Sequence, residues 1–318
     1  MALAADDGEP RTIVVLRALG LGDLLTAVPA LRGLRRRYPD ARITLAAPER
    51  YRELALHTGA VDEVVDTPAL GPVRGVAERP DLAVNLHGRG PESIAALLAL
   101  RPRMLFTHRH DDFPQTAGPQ WQADKHEVDR WCQMLHWAGI VCRADDLHIE
   151  RPPGYPDHSD TVVIHPGAGA PARQWPVQRF AEVAAALAGQ GVPVVITGSP
   201  AEAELVKEVR SAAGLPESAI WPVTSDLLAL VALIADCRLL ICGDTGVGHI
   251  ATATGTPSVL LFGPTPPQHW GPRGHGCHVT LWAGDRGDPH ADTPDAGLLL
   301  LTAPRVLSAA RDVLAQCP

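Results

Sequence analysis

The chain has 318 residues, 46% of them hydrophobic and 20% charged, with a formal net charge of −8; this length accommodates two domains, each able to bury its own core. Residues 1–150 carry 18 Arg+Lys against 21 Asp+Glu, and residues 151–318 carry 10 against 15. Neither half offers the basic surface that nucleic acid or an anionic membrane selects, and no apolar run reaches the ~18–20 residues that span a bilayer. The short acidic start "MALAADDGEP" lacks the basic and apolar regions of a signal peptide, so a cytoplasmic protein without stable membrane insertion is expected. The six cysteines, at 132, 142, 237, 242, 277 and 317, include no C-x-x-C and no zinc-type spacing, so reduced, structural thiols are expected.

In chain order, "TIVVL" (Thr12–Leu16) reads as a strand. The loop "RALGLGDLL" (Arg17–Leu25) follows, and then a helix over Asp23–Arg37 with Leu24, Leu25, Val28, Leu31 and Leu34 near helical spacing. The loop approaches a G-x-G-x-x-G fingerprint through Gly20 and Gly22 but has Leu25 at the third glycine, and Asp23 stands where a pyrophosphate would be received. Strands follow at Ala41–Pro48, Val61–Thr67 and Asp81–Gly88. "SIAALLAL" reads as a helix, "RMLFTH" as a strand and His126–Gly139 as an amphipathic helix. The Pro/Gly/Asp-rich segment Glu150–Asp160 is the linker candidate. Beyond it the alternation restarts. "TVVIHPGAGA" reads as a strand and then a glycine loop, "VPVVITG", "RLLICGD" and "TPSVLLFGP" read as strands, helices separate them, and a final helix ends the chain. Strands alternating with helices predict parallel sheets: an α/β protein of two Rossmann-like domains facing a cleft, split as 1–152 and 153–318, with the last helix able to pack back on the first domain. Ligands of such sheets bind beyond the carboxyl ends of the strands.

Three loops in the second half have that placement. In "HPGAGAPARQWP", Gly167 and Gly169 allow close backbone approach, and Arg173 supplies a positive fork suited to phosphate. In "TGSPAEAEL", Glu202 and Glu204 suit either the helix dipole or the two hydroxyls of a ribose. In "GDTGVGHIA", Asp244 reads as an N-cap, and Thr245, Gly246, Val247 and Gly248 give a helix start of little bulk, with His249 as a further donor. Together with Arg173 these loops predict a phosphate cradle. Trp175 and Trp270 read either as core or as walls of that pocket, Trp270 being the stronger pocket candidate. In "THRHDD", His108, His110, Asp111 and Asp112 could be read as metal ligands, with His108 and His110 on one face of a strand, but an exposed acceptor-side loop is the favoured reading. His126 reads as structural or cleft-lining, and Asp285–Asp295 as a solvated loop.

The segments "LRALGLGDLLTAVPALRGLRRRYPDARITLAAP", "VVIHPGAGAPARQWPVQRFAEVAAAL", "CGDTGVGHIATATGTPSVLLFGPT" and "HWGP" (His269–Pro272), in that order, resemble glycosyltransferase family 9, the ADP-heptose:lipopolysaccharide heptosyltransferases. The resemblance covers most of the chain and is weaker in the middle. It implies a GT-B fold, with the nucleotide sugar held by the C-terminal domain and the acceptor by the N-terminal one. It implies inversion at the anomeric carbon with no cofactor and no metal. Asp23 then matches the general base, against the rival reading of a plain N-cap. Arg173 matches a basic residue at the leaving diphosphate, and Asp244, Thr245, Gly246 and His249 match the donor loop. Glu202 or Glu204 matches a ribose contact, and Arg17, Gly20 and Gly22 fall on the acceptor side.

The function expected is transfer of a heptose or related sugar from a nucleoside-diphosphate donor, ADP-linked by the resemblance. The acceptor is a hydroxyl of a glycoside, a small natural product or a lipid-linked saccharide. A sugar-nucleotide epimerase or hydrolase on the same fold, or a nucleotide-binding protein without catalysis, are the competing readings. The net acidic first half favours a soluble acceptor.

Overall fold

The computed structural model describes residues 8–222, 226–273 and 276–317. The chain divides into two compact units between Asp146 and Leu147, so segment 150–160 belongs to the second unit. There Ile149 N–H donates to the Ala253 carbonyl at 2.8 Å.

The first unit runs β1 (Thr12–Leu16), α1 (Leu21–Arg37), β2 (Arg42–Ala47), α2 (Arg52–His57), β3 (Glu63–Asp66), β4 (Leu82–Asn85), α3 (Glu92–Leu98), β5 (Met104–Phe106) and α4 (Glu127–Trp137). Its parallel sheet has the order β3-β2-β1-β4-β5. The order reverses between β1 and β4, so the connections leaving these neighbours part and open a crevice at their carboxyl ends. Register pairs Leu16 with Asn85, which sets Arg17 beside Leu86 at that crevice.

The second unit runs β6 (Val162–His165), α5 (Val177–Ala188), β7 (Val194–Ile196), α6 (Ala203–Ala212), α7 (Leu227–Asp236), β8 (Leu239–Gly243), α8 (Gly246–Thr254), β9 (Ser258–Leu261), α9 (Pro267–Trp270), β10 (His278–Leu281), α10 (Ala296–Leu299) and α11 (Ala303–Gln316). Its parallel sheet has the order β10-β9-β8-β6-β7. The reversal here lies between β6 and β8, which places the loops after His165 and Gly243 together.

The central strands of both sheets are apolar and buried on both faces because helices cover each side. Ile13, Val15 and Leu16 in β1, and Ile241 in β8, are essentially inaccessible. Each such side chain contributes about 1.5–3 kcal/mol on burial. Helix α11 packs on α5 and on β8–β10, placing Val306, Ala310 and Val313 in the second core.

Three expectations need correction. Helix α1 starts at Leu21 rather than Asp23. Helix α2 and strand β10 were not anticipated, since α2 is a short helix beyond a 3-10 turn and β10 follows a turn-rich stretch. Cys277 and Cys317 are joined in a disulfide, whereas all six thiols were expected to be reduced. The other four cysteines are free and buried.

Candidate active site

In the first unit, Arg17 and Asp23 of the β1–α1 turn meet Glu127, 110 residues further on from Arg17. Gly20 is the N-cap of α1, and Asp23 is its third helical residue. The Gly20 N–H donates to Asp23 Oδ2 at 3.1 Å, which is the reciprocal half of a capping box. Asp23 is therefore not the N-cap that the rival reading required. A Cβ at position 20 would lie 3.2 Å from Asp23 Oδ2, so glycine keeps this contact unstrained.

The Arg17 side chain is fully buried below that turn. Its Nε donates to the Asp23 carbonyl at 2.9 Å, and its Nη1 donates to the Leu86 carbonyl. Its Nη2 lies 3.2 Å from Asp23 Oδ1 and 3.1 Å from Glu127 Oε1. The guanidinium also stands over the Trp131 ring, 4.9 Å from its centre. Arg17, expected on the acceptor side, lies buried under Asp23, where it holds the carboxylate.

Glu127 opens α4. Its Oε1 also accepts from Trp131 Nε1 at 2.9 Å, and its Oε2 accepts from Arg130 Nε at 2.9 Å. Of the two carboxylates only Asp23 reaches solvent, its side chain being 26% exposed. Burial pushes the Asp23 carboxyl above its ordinary value; Arg17 opposes this and Glu127 adds to it. Burial also acts to raise Glu127, but Arg17 and Arg130 together hold it below its ordinary value.

His87, just past Leu86, is lowered to about 4 by burial and by Arg17. His108 is lowered to about 4 by burial and by Arg130. Both rings are therefore neutral near pH 7. His108 is buried edge-on against Trp121 and Trp131, not exposed in a loop as expected. Among the described residues no three His, Cys, Asp or Glu side chains gather as a metal ligand set. His126 is the N-cap of α4, its Nδ1 accepting from Val128 N–H at 3.2 Å.

In the second unit the three glycine-rich loops converge. A Cβ on Gly167 would sit 2.0 Å from Glu202 Oε1, and one on Gly169 would sit 2.9 Å from Arg173 Nη2. Both side chains thus lie directly against the "PGAGA" backbone. Glu202 Oε2 accepts from Ser199 N–H at 2.7 Å, which fixes it. Glu204 is 88% exposed and pairs with Lys207 at 2.8 Å on the surface of α6. Only Glu202 joins the loop cluster.

Arg173 ends a short 3-10 turn, Pro171–Arg173. Its Nη1 lies 4.0 Å from Asp244 Oδ2, and its buried Nε has no hydrogen-bond partner among the described residues. Ala172, next to it, is held on both sides: its N–H donates to the Ala291 carbonyl and its carbonyl accepts from Asp295 N–H, each at 3.1 Å. Part of the 285–295 loop, read from sequence as merely solvated, therefore braces the turn that carries Arg173.

Asp244 was expected to cap α8, but Thr245 does so, its Oγ1 accepting from Val247 N–H at 3.2 Å. Asp244 sits just before the cap, buried, and burial raises its carboxyl to about 6 against the pull of Arg173. Val247 is buried, and a Cβ on Gly248 would meet Leu260 at 3.2 Å. Both positions pack α8 on its sheet and have only backbone to offer a ligand. His249 lies edge-on to Trp270, ring centres 6.0 Å apart. These two, with Asp244, Thr245, Gly248 and Thr252, line a depression at the carboxyl end of β8. Trp175 is core: it is buried against Phe180 and its Nε1 donates to the Leu301 carbonyl at 2.9 Å.

The sequence reading missed Glu127, Arg130 and Trp131. The only signal was their place on the polar-to-apolar face of one amphipathic helix, which says nothing about a partner 110 residues away.

Two parallel sheets of this order, each with its glycine-bearing loops at the carboxyl ends of the central strands, are the two units of a GT-B-type fold. The E. coli ADP-heptose lipopolysaccharide heptosyltransferase II superposes with a TM-score of 0.76 at 22% identity, covering 96% of this chain and 99% of that one. An E. coli heptosyltransferase solved with ADP-2-deoxy-2-fluoro heptose gives 0.68 at 17% identity, covering 95% and 99%. The chain belongs to glycosyltransferase family 9. Residues 91–288 match the family described as "Glycosyltransferase family 9 (heptosyltransferase)". Lipopolysaccharide heptosyltransferase 1 of Pseudomonas aeruginosa is 37% identical over 300 residues, 82% of this chain and 81% of that protein. The family match includes Glu127 and the whole donor-loop cluster, whereas Arg17 and Asp23 precede it.

Proposed function

We propose that this glycosyltransferase moves a heptose or related sugar from an ADP-linked donor to a hydroxyl of a saccharide acceptor, with inversion and without a divalent metal. The observation that carries the reading is Asp23: a carboxylate reaching solvent, held rigidly by Gly20 and Arg17, with its proton affinity raised by burial. That is the state a general base needs. In the step proposed, Asp23 takes the acceptor hydroxyl proton as the acceptor oxygen bonds to C1. The bond from C1 to the diphosphate oxygen breaks on the opposite face, and ADP leaves with the electron pair.

Arg173, with an unused Nε donor, and the N-terminal turn of α8 would meet the charge that develops on that diphosphate. Glu202, which lies against the Gly167 backbone, would take the ribose hydroxyls, while Glu204 pairs with Lys207 on the surface. The relatives named above, which include a structure with an ADP-heptose analogue, favour adenine and heptose. For the acceptor, Arg50, Arg89 and Arg109 follow β2, β4 and β5, all are exposed, and none is ion-paired to a described residue. A rim of this kind suits an anionic saccharide, lipid-linked or free, despite the net acidic charge of residues 1–150.

The test is turnover of ADP-heptose on heptose-deficient lipopolysaccharide core, read as ADP release and product mass. Asp23→Asn is expected to lower kcat by about 10²–10⁴-fold while ADP still raises the melting temperature. A folded Asp23→Asn protein with turnover near wild type would sink the base assignment. Failure of any nucleoside diphosphate to stabilise the protein would sink the donor site.

A further inference from the structure

We infer that Glu127 is a positioning residue for Asp23: it anchors Arg17 from below, so that the guanidinium orients the Asp23 carboxylate without claiming it as a dedicated ion-pair partner. The inference rests on the reading of Asp23 as the base.

An arginine placed against a carboxylate normally makes it a weaker base, lowering its pKa by about 1–3 units. That would be a poor arrangement for the residue that must take a proton. Here a single nitrogen, Arg17 Nη2, lies between two carboxylate oxygens at nearly equal distances, 3.2 Å to Asp23 and 3.1 Å to Glu127. The two carboxylates are not equivalent. Glu127 is buried and receives further hydrogen bonds from Arg130 Nε and Trp131 Nε1, so its negative charge is fully partnered. Beyond Arg17, Asp23 has only main-chain N–H partners, those of Gly20 and of its own residue, and one face to water. Carboxylates sharing a cation divide in this way: the better-solvated-by-protein member stays ionised, and its field raises the proton affinity of the other.

The orientation is equally constrained. Arg17 is fixed at four further points: the Asp23 and Leu86 carbonyls, Thr26 Oγ1 at 3.3 Å, and the face of Trp131. The charged and titratable groups around Asp23 are Arg17 from the β1–α1 loop and Glu127 with Arg130 behind it from α4. From the end of β4 comes His87, which is neutral near pH 7. Arg17 and Glu127 are the two charges that act on the Asp23 carboxyl, in opposite directions. Glu127 is therefore the lever that can be removed singly.

The experiment is an NMR titration of the full-length protein carrying 13C-carboxyl-labelled aspartate, the Asp23 signal being assigned by its loss in Asp23→Asn. In Glu127→Gln the Asp23 midpoint is expected to fall by about one pH unit, a tenfold rise in acidity, because Arg17 then has one carboxylate instead of two. The acidic limb of the kcat profile should move down with it, and kcat should drop several-fold, with the KM for the donor unchanged. Glu127→Asp keeps the charge at shorter reach and should shift the midpoint the same way by less. If Glu127→Gln does not fold, Glu127→Asp carries the test. An Asp23 midpoint equal to wild type in the folded variants overturns the inference, since a purely structural glutamate would change melting temperature and leave the titration alone. The titration needs no substrate. A result in which Asp23→Asn keeps turnover, yet Glu127→Gln moves the midpoint, would overturn the base assignment and leave the coupling standing.

Discussion

At the scale of single residues, two aspartates sit one turn or less from a helix start, and both hold a proton more tightly than a free aspartate does. Asp23 does so at the solvent edge of a buried network; Asp244 does so when nearly enclosed, at about 6. For Asp244 the sign of the linkage is definite. Its folded value lies above the ordinary 3.8, so the folded state binds the proton more strongly. Stability is therefore lost as pH rises from about 4 to about 6 and stays lost above that. Asp244→Asn removes the buried charge and is expected to stabilise the free protein by about 1–3 kcal/mol at pH 7.5, with little gain at pH 4, read by thermal denaturation at both pH values. The same substitution should weaken nucleotide-sugar binding. Enhanced stability bought with lost function is common at active sites.

At the scale of elements, the loops after β6 and β8 depend on glycine and on one threonine. Thr245→Ala removes the side-chain cap of α8 and should lower stability by about 1 kcal/mol, and it should also weaken nucleoside diphosphate binding at the same helix start. Gly167→Ala should behave differently. The new methyl would collide with the Glu202 carboxylate, 2.0 Å away, which swings aside only by giving up its bond from Ser199 N–H. The fold should lose no more than about 0.5–1 kcal/mol while affinity for ADP drops about tenfold, measured by calorimetry. Equal losses of stability and binding would show that Gly167 serves the fold and not the ligand.

Most of these elements were legible in the sequence, and so were the loops that carry chemistry, because apolar strands ending in glycine mark both. The helix starts were less legible. At Asp23 and again at Asp244, an aspartate beside a glycine or threonine left two good capping arrangements. In the structure the cap falls on Gly20 in one case and Thr245 in the other. Propensity cannot separate such neighbours, because a shift of one to three residues exchanges a cap for a first-turn acid at small cost.

At the scale of the whole molecule, the chain is two parallel sheets of different strand order, each opening its crevice between its first strand and the strand where the order reverses. The second unit is further tied by Cys277–Cys317, which closes a loop of 40 residues between the start of β10 and the end of α11. By chain entropy such a link contributes about 4 kcal/mol. Cys317→Ser, or reductant, is expected to lower the melting temperature of the second unit, and a melting curve unchanged by reductant would contradict a contribution of that size. Turnover with ADP-heptose is expected to be the same in excess EDTA as with added Mg²⁺, since Arg173 and the α8 turn supply the positive charge at the diphosphate. Loss of turnover in EDTA restored by Mg²⁺ would overturn the metal-independent mechanism.

The sequence by itself determined the α/β architecture, the two-fold repetition of the strand–helix pattern, and the loops in which Asp23, Arg173, Glu202 and Asp244 stand. Each of these is a local matter of periodicity, glycine and strand ends. Tertiary structure alone decided which neighbours those residues have. Glu127 lies 110 residues from Arg17, and a carboxylate that far along the chain becomes part of the Asp23 site only when α4 packs on α1. Glu202 and Glu204, two residues apart and chemically alike, were separated only by the helical turn that sets one against Gly167 and the other against Lys207. Ala291 and Asp295 brace the Arg173 turn through their main chain, which no side-chain pattern records.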